Sequence, residues 1–374
     1  MKTVLVTGAA GFIGKNLVAA LERRDDVRLI LFDVNTEPAV LDAGLTEADI
    51  IYHLAGVNRP KDESKFMTGN AGLTEQMLAR LVELGRTPAF VLTSSVQAEL
   101  DNSYGRSKKA AEDAVLKFNK ETGAPVCIYR LPGVFGKWSR PNYNTVVATF
   151  CHNIARGLEI IVNDPSRIME LVYIDDVITA FLQHLDGAHD PARQRYSVGR
   201  TFRVTLGELA GRIRRLHAIR ETLTVPDLSD DLMKCLHATY LSFLPEDDFG
   251  YPVKLNTDNR GWLFELIKSE HFGQIFVSKT LPGITRGNHF HGTKVEKFCV
   301  IQGQGVIRFR RIDSGNILEY PVDDRAIKVV DIPPGYTHSI ENTGKGEMIC
   351  LFWANQIFTP ERADTYFNPV IKQG

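Results

Sequence analysis

Tyr104 and Lys108 stand four residues apart in Tyr-Gly-Arg-Ser-Lys, at the start of a run of helical periodicity that reaches Thr122. That spacing puts a phenol and an amine on one helix face. A cationic Lys108 is expected to lower the Tyr104 pKa from ~10, so that the phenol exchanges protons near neutrality. Ser94-Ser95 lies just upstream, at the carboxyl end of an expected strand, where a hydroxyl can hold the carbonyl oxygen that the phenol protonates. The spacing alone does not choose between the two serines. Tyr-x-x-x-Lys recurs by chance on exposed helices, so its place in the chain must do the discriminating.

A second group lies far downstream, in Gly283-x5-His289-Phe-His291-x4-Glu296-x6-Gly303. Two imidazoles two residues apart point to one side of an extended strand, and Glu296 returns on the next. His338 follows in Pro333-Pro334-Gly335-Tyr336-Thr337-His338, with Asn342 four residues on. Three imidazoles and a carboxylate that converge make a site for a divalent ion, Zn²⁺ foremost. A lone His-x-His is more often a surface or core pair; the complete spacing carries the reading.

The elements that must hold these groups are legible around them. Val4-Leu5-Val6 reads as a buried strand and Asn16 to Leu21 as a helix, with Thr7-Gly8-Ala9-Ala10-Gly11-Phe12-Ile13-Gly14 between them. Glycines at 8, 11 and 14 let a diphosphate approach the free amides of the helix N-terminus. Leu29 to Phe32 reads as a second strand ending in Asp33, an acid that binds adenosine ribose hydroxyls and disfavours a 2′-phosphate, which favours NAD. Asp49 to Leu54 is a third strand, running into Ala55-Gly56, small enough to let a cofactor pass. Phe66 to Leu84 is expected to be helical, Ala89 to Thr93 and Val126 to Arg130 to be strands, and Asn142 to Arg156 a helix. Leu131 to Gly136 is a loop that could wall the nicotinamide side. Strands alternating with helices mean a parallel, doubly wound sheet. Arg203, Arg212 and Arg214 could meet a sugar-nucleotide diphosphate, though solvated surface is the ordinary role of each; His152 and His184 read as structural.

Beyond the acidic, proline-bracketed stretch Pro245 to Pro252 the helical period stops. Short β-rich runs take over at Phe272 to Ser278, Glu296 to Ile301, Gly305 to Arg310, Ala326 to Ile332 and Met348 to Trp353, the pattern of an antiparallel sandwich or small barrel. With 374 residues the chain exceeds what one core usually organises, so two domains are expected. Forty-four basic residues against 45 acidic leave a net charge of −1, with no massed cations for nucleic acid. Five cysteines without a C-x-x-C pair suggest reduced thiols and a cytoplasmic setting. The first residues read as a strand rather than a signal peptide, and no run is apolar enough to span a membrane.

Taken together, positions 1–244 resemble an extended short-chain dehydrogenase/reductase acting on a nucleotide sugar, and positions 253–374 resemble a cupin, with 245–252 as linker. With Asn142-Tyr143-Asn144, Leu255 to Arg260 and Asn288 to Phe298, that order resembles the bifunctional capsule and O-antigen enzymes of the UDP-N-acetyl-L-fucosamine pathway. The resemblance implies a Rossmann-like doubly wound sheet followed by a cupin β-barrel. It implies catalysis by Ser95, Tyr104 and Lys108. A nicotinamide cofactor would lie along Gly8, Gly11, Phe12, Ile13, Gly14, Asp33, Leu54, Ala55, Gly56, Tyr104 and Lys108, and a metal on His289, His291, Glu296 and His338. NADPH is the cofactor it implies, against the NADH that Asp33 favours, and a homodimer is the assembly. Three departures stand out: Ile327 where the second cupin motif usually has glycine, a short Ser95-to-Tyr104 gap, and Asp33.

Such enzymes epimerise C3 of a UDP-2-acetamido-2,6-dideoxy-hexos-4-ulose in the cupin and reduce C4 in the first domain, giving UDP-N-acetyl-L-talosamine. The C4 ketone alone makes the C3 proton acidic, and reduction destroys it, so the cupin must act first. Lys294 and Tyr336 are the nearest candidates for the acid and base at C3. Two other readings fit the residues: a reductase with a non-catalytic cupin, and a redox-neutral 4-epimerase.

Overall fold

The structure is a computed structural model that describes residues 1–187, 190 and 193–371. It divides into two compact units, Met1–Arg214 with Cys235–Pro245, and Arg215–Lys234 with the chain from Glu246 on. The boundary at Pro245 falls where the composition changes, but residues 215–234, expected to belong to the first domain, group with the second unit.

In the first unit, Val4, Leu5 and Val6 are 0% exposed, because a strand with helices on both faces has no wet side. The strands are β1 (Lys2–Thr7), β2 (Val27–Phe32), β3 (Ile50–His53), β4 (Ala89–Ser95), β5 (Val126–Leu131), β6 (Gly133–Phe135), β7 (Ile168–Tyr173), β8 (Arg195–Tyr196) and β9 (Phe202–Thr205). Six form a parallel sheet in the order β2-β1-β3-β4-β5-β8, and β6, β7 and β9 a small second sheet. The order reverses between β1 and β3, the crevice where open α/β sheets bind ligands. Helices α1 (Phe12–Leu21), α2 (Pro38–Glu47), α3 (Ser64–Phe66), α4 (Leu73–Glu83), α5 (Ser103–Thr122), α6 (Val146–Ala155) and α7 (Ile174–Leu185) connect them, with a π-helical stretch Met67–Gly72 between α3 and α4. The helix expected from Asn142 begins only at Val146, and Asn142 itself takes a left-handed φ of 54° that a helix cannot accommodate.

Three helices, α8 (Leu206–His217), α9 (Ile219–Thr222) and α10 (Asp231–Leu241), carry the chain through the interleaved region. The second unit then consists of β10 (Asn256–Asp258), β11 (Gly261–Ser269), β12 (Gly273–Thr280), β13 (Thr285–Phe290), β14 (Glu296–Gln302), β15 (Gln304–Arg311), β16 (Ile317–Asp323), β17 (Val329–Ile332), β18 (Tyr336–Asn342), β19 (Met348–Ala354) and β20 (Tyr366–Phe367). Two antiparallel sheets, β10-β11-β12-β19-β14-β17 and β16-β15-β18-β13-β20, bury Phe298, Ile307, Phe309, Ile340 and Phe352. Residues 223–225 pair with β11 as well: Lys268 N–H donates to Leu223 O and Val225 N–H to Lys268 O, each at 2.7 Å.

Candidate active site and metal centre

The end of β1 and the loop after β3 meet at the sheet's reversal. Gly8 has φ +70°, and a β-carbon there would come 2.7 Å from the Ala55 amide nitrogen. On Gly14 it would fall 2.1 Å from the Gly8 carbonyl oxygen. Only glycine fits either position. Gly11 caps α1 without a side-chain hydrogen bond, leaving the first amides of Phe12 and Ile13 to face an anion. Asp33 accepts the Ala10 amide at 2.8 Å, which ties the end of β2 to the glycine loop. A cavity of about 560 Å³ opens beside them, and Lys15 is the one cation lining it among the described residues.

His53 holds the crevice from below. Its ring joins Thr7 Oγ1 at 2.7 Å through Nδ1 and Thr74 Oγ1 at 2.9 Å through Nε2. Thr74 gives its hydroxyl proton to the Asn70 carbonyl, so it accepts from Nε2–H, and Nδ1 accepts from Thr7. Burial and the nearby Lys108 push the imidazole down to about 3, so it is neutral. Asn70, in the π-helical stretch, bonds both polar groups of Val57 and Ser107 Oγ on α5.

Helix α5 starts where Asn102 accepts the Gly105 amide at 2.7 Å, which sets Tyr104 and Lys108 in its first turns. Lys108 is 7% exposed and donates to the Thr93 carbonyl at 3.1 Å. Its Nζ lies 5.9 Å from the centre of the Tyr104 ring. A β-carbon on Gly56 would come 3.1 Å from that Nζ, so the chain after β3 runs beside Lys108. Burial lowers Lys108 to about 8, although Glu112 opposes the shift, and it remains cationic at neutrality. Tyr104 differs from expectation: burial raises its pKa, and a hydrogen bond with Ser95 only partly offsets this. The site is too dry for the expected lowering, burial being the largest influence on the phenol.

The two serines diverge. Ser94 Oγ donates to Glu112, whose carboxylate is also gripped by Arg130 at 2.8 and 2.7 Å. Ser95 is the serine that faces Tyr104. Glu112, fully buried one turn beyond Lys108, went unread in the sequence; Tyr-x3-Lys-x3-Glu was the available signal. Of the residues read as structural, His184 joins Tyr129 at 2.7 Å.

In the second unit, His289 from β13, His291 just past it, Glu296 from β14 and His338 from β18 bring ligand atoms within 4.8 Å of one another. A register shift between Gly287 and His289, with Asn288 at φ +61°, turns the end of β13 toward the cluster. His291 Nε2 and His338 Nε2 lie 3.2 and 3.5 Å from one oxygen of Glu296. Ligands ~2.0–2.1 Å from a tetrahedral ion stand about 3.4 Å apart. His291 Nε2 and both nitrogens of His338 are buried without a hydrogen-bond partner, a cost that a metal ion would remove. Burial and the two other imidazoles push His289 down to about 4, keeping it neutral for coordination. Burial opposes ionisation of Glu296, yet His291, His338 and Lys294 outweigh it and hold the carboxyl far below the usual range. The donor set therefore fits a divalent ion. Lys294 Nζ stands 3.0 Å from Glu296, whereas Tyr336 lines a different cavity with Phe309 and Tyr320.

Residues 4–199 match the NAD dependent epimerase/dehydratase family, and residues 256–366 match the polysaccharide biosynthesis C-terminal domain. UDP-2-acetamido-2,6-beta-L-arabino-hexul-4-ose reductase of Pseudomonas aeruginosa is 42% identical over 363 residues, 97% of each chain. The crystal structure of capsular polysaccharide assembling protein CapF from Staphylococcus aureus is 43% identical, with a TM-score of 0.92 over 98% of this chain and 100% of that one. UDP-glucuronic acid 4-epimerase from Bacillus cereus, 19% identical with a TM-score of 0.52 over 57% of this chain and 82% of its own, shares fold alone. No helix among the described residues is long and apolar enough to cross a membrane.

Proposed function

Since this chain belongs to the NAD dependent epimerase/dehydratase family and carries a polysaccharide biosynthesis C-terminal domain, we propose that it is a bifunctional nucleotide-sugar enzyme of capsule or O-antigen synthesis. Its second unit epimerises C3 of UDP-2-acetamido-2,6-dideoxy-β-L-arabino-hexos-4-ulose, and its first unit then reduces C4 to give UDP-N-acetyl-L-talosamine. One observation carries the reading: a relative named for reducing this 4-keto sugar matches the chain almost end to end, and His289, His291, Glu296 and His338 form a cluster that could hold a metal ion.

Bound on the glycine loop, a reduced nicotinamide supplies the hydride. Tyr104 gives its phenolic proton to the C4 oxygen, and Ser95 holds that oxygen by a hydrogen bond. The raised Tyr104 pKa keeps the proton on the phenol until the C4 oxygen takes it, and Lys108 would orient the nicotinamide ribose. In the second unit, Zn²⁺ on His289, His291, Glu296 and His338 would supply Lewis acidity toward the C4 oxygen. Lys294 exchanges the C3 proton on one face, a role supported by its reach to Glu296.

The test is NMR of the product formed from the 4-keto sugar in deuterated water, with and without NADPH. Deuterium should enter C3 under both conditions, and C4 should be reduced only with the cofactor, in step with nicotinamide oxidation. An isomeric product formed without net oxidation would favour a redox-neutral 4-epimerase. Reduction without deuterium at C3 would leave a reductase with a non-catalytic cupin.

A further inference from the structure

We propose that Asp364 is a positioning residue of the metal centre, and that the strap it begins, Asp364 to Val370, sets the geometry in which His291 meets the ion. The inference rests on the metal reading above.

Asp364 grips the loop between two ligands. Its carboxylate accepts the amides of Gly292, Thr293 and Lys294 at 2.8, 2.6 and 2.8 Å, and the Thr293 hydroxyl at 2.9 Å. Those residues span the gap from His291 to Glu296. Its backbone carbonyl does something more specific, since it stands 2.5 Å from His291 Nδ1. A carbonyl can only accept, so Nδ1 carries the proton, and in the neutral ring Nε2 keeps the lone pair. Nε2 is the atom that faces Glu296 and has no hydrogen-bond partner. One residue thus fixes both the tautomer of His291 and the path of the chain to Glu296, as outer-shell partners of metal ligands do.

The strap is itself tied down beside a third ligand. Phe367 pairs with His289, as β20 lies along β13. Asn368 N–H donates to the Asn288 carbonyl at 2.8 Å, and Val370 N–H to the Asn288 side chain at 3.1 Å. Asn288 is the left-handed residue of the β13 irregularity. Arg310, 2% exposed, donates to Asn368 Oδ1, Pro369 O and Val370 O at 2.8, 2.7 and 2.9 Å.

The test uses the full-length protein stripped of metal, titrated with Zn²⁺ against a chromophoric chelator and separately loaded with Co²⁺. Asp364→Ala should weaken Zn²⁺ binding by about 10–100-fold. It should also alter the visible spectrum of the Co²⁺-saturated protein, because a misoriented imidazole changes the ligand field. Asp364→Asn, which keeps size and one acceptor oxygen, should fall between. Should Asp364→Ala not fold, Asp364→Asn decides on the same two readouts. Parent-like Zn²⁺ affinity in a folded variant would overturn the proposal, as would weaker affinity with an unchanged Co²⁺ spectrum, the mark of a merely stabilising contact. A parent protein that binds no divalent ion would instead overturn the metal reading before any variant is compared.

Discussion

Ser94 Oγ donates to Glu112 Oε1 across 2.5 Å, and both groups are shut away from solvent. Two adjacent serines therefore have different work. Ser94→Ala removes a donor from a buried carboxylate and should cost about 1–3 kcal/mol of stability while sparing reduction. Ser95→Ala removes the hydroxyl beside Tyr104, and with it the acceptor for the Gln97 amide, and should lower kcat by about 10²–10³-fold at a stability cost of about 0.5–2 kcal/mol. Denaturant unfolding and steady-state kinetics on both variants separate the roles; the reverse pattern would reassign the catalytic serine.

Tyr104→Phe should reduce the 4-keto sugar at least ~10²-fold more slowly, the lower range for a lost general acid. Exchange of solvent deuterium into C3 should persist at the parent rate, because the second unit has its own ligands and its own lysine. Mass spectrometry of the recovered ketone measures the exchange directly. Its loss in a folded variant would contradict the division of labour.

The stability of the first unit should decline on acidification, with buried His53 the strongest contributor and His152 and His237, also pushed down by burial, adding to it. His53 titrates near 6.5 in an unfolded chain and at about 3 in the fold. As pH falls below 6.5 the unfolded state takes up a proton that the folded state refuses, so stability drops until about pH 3 and then levels. The largest loss this group can cause is roughly 4–5 kcal/mol. His53→Gln, which can still bridge Thr7 and Thr74, should flatten that limb in unfolding measured from pH 7 to pH 4. An unchanged slope would place the acid sensitivity elsewhere.

Asp33 should govern the choice between the two nicotinamide cofactors. Its carboxylate, held by the Ala10 amide at the end of β2, is expected to bind the adenosine ribose hydroxyls and to repel a 2′-phosphate. Asp33→Ser should raise kcat/KM for NADPH relative to NADH by about 10–100-fold, or ~1.4–2.7 kcal/mol. A ratio that did not move would shift attention to Lys15 in the neighbouring cavity.

What could be read from the sequence was what local spacing encodes. The glycines at 8, 11 and 14, the Tyr104–Lys108 pair and the cluster of His289, His291, Glu296 and His338 each follow a spacing that survives without knowledge of the fold. Burial does not work that way: the pKa of Tyr104 was misjudged because its dryness depends on distant elements. Glu112 stayed hidden because its partners, Ser94 and Arg130, come from two other strands. Strand β13 was legible only through the His289–His291 spacing, and β18 escaped notice because threonine, histidine, serine and glutamate break its apolar run. Asp364 lies 26 residues beyond His338, in no motif, and only the folded chain brings it to His291.

The interleaving of the two units bears on how the chain is made. Residues 215–234 leave the ribosome before the strand they pair with, since Leu223 and Val225 must wait for Lys268. At about 5–20 residues per second that wait lasts some seconds. Meanwhile residues 235–245 emerge and complete the first unit, so the earlier segment must be held out as a loop while the domain around it closes. A nascent chain stalled with residues 1–250 outside the exit tunnel should therefore carry a folded, cofactor-competent first unit with 215–234 open to protease, and that exposure should vanish once β11 has also cleared the tunnel.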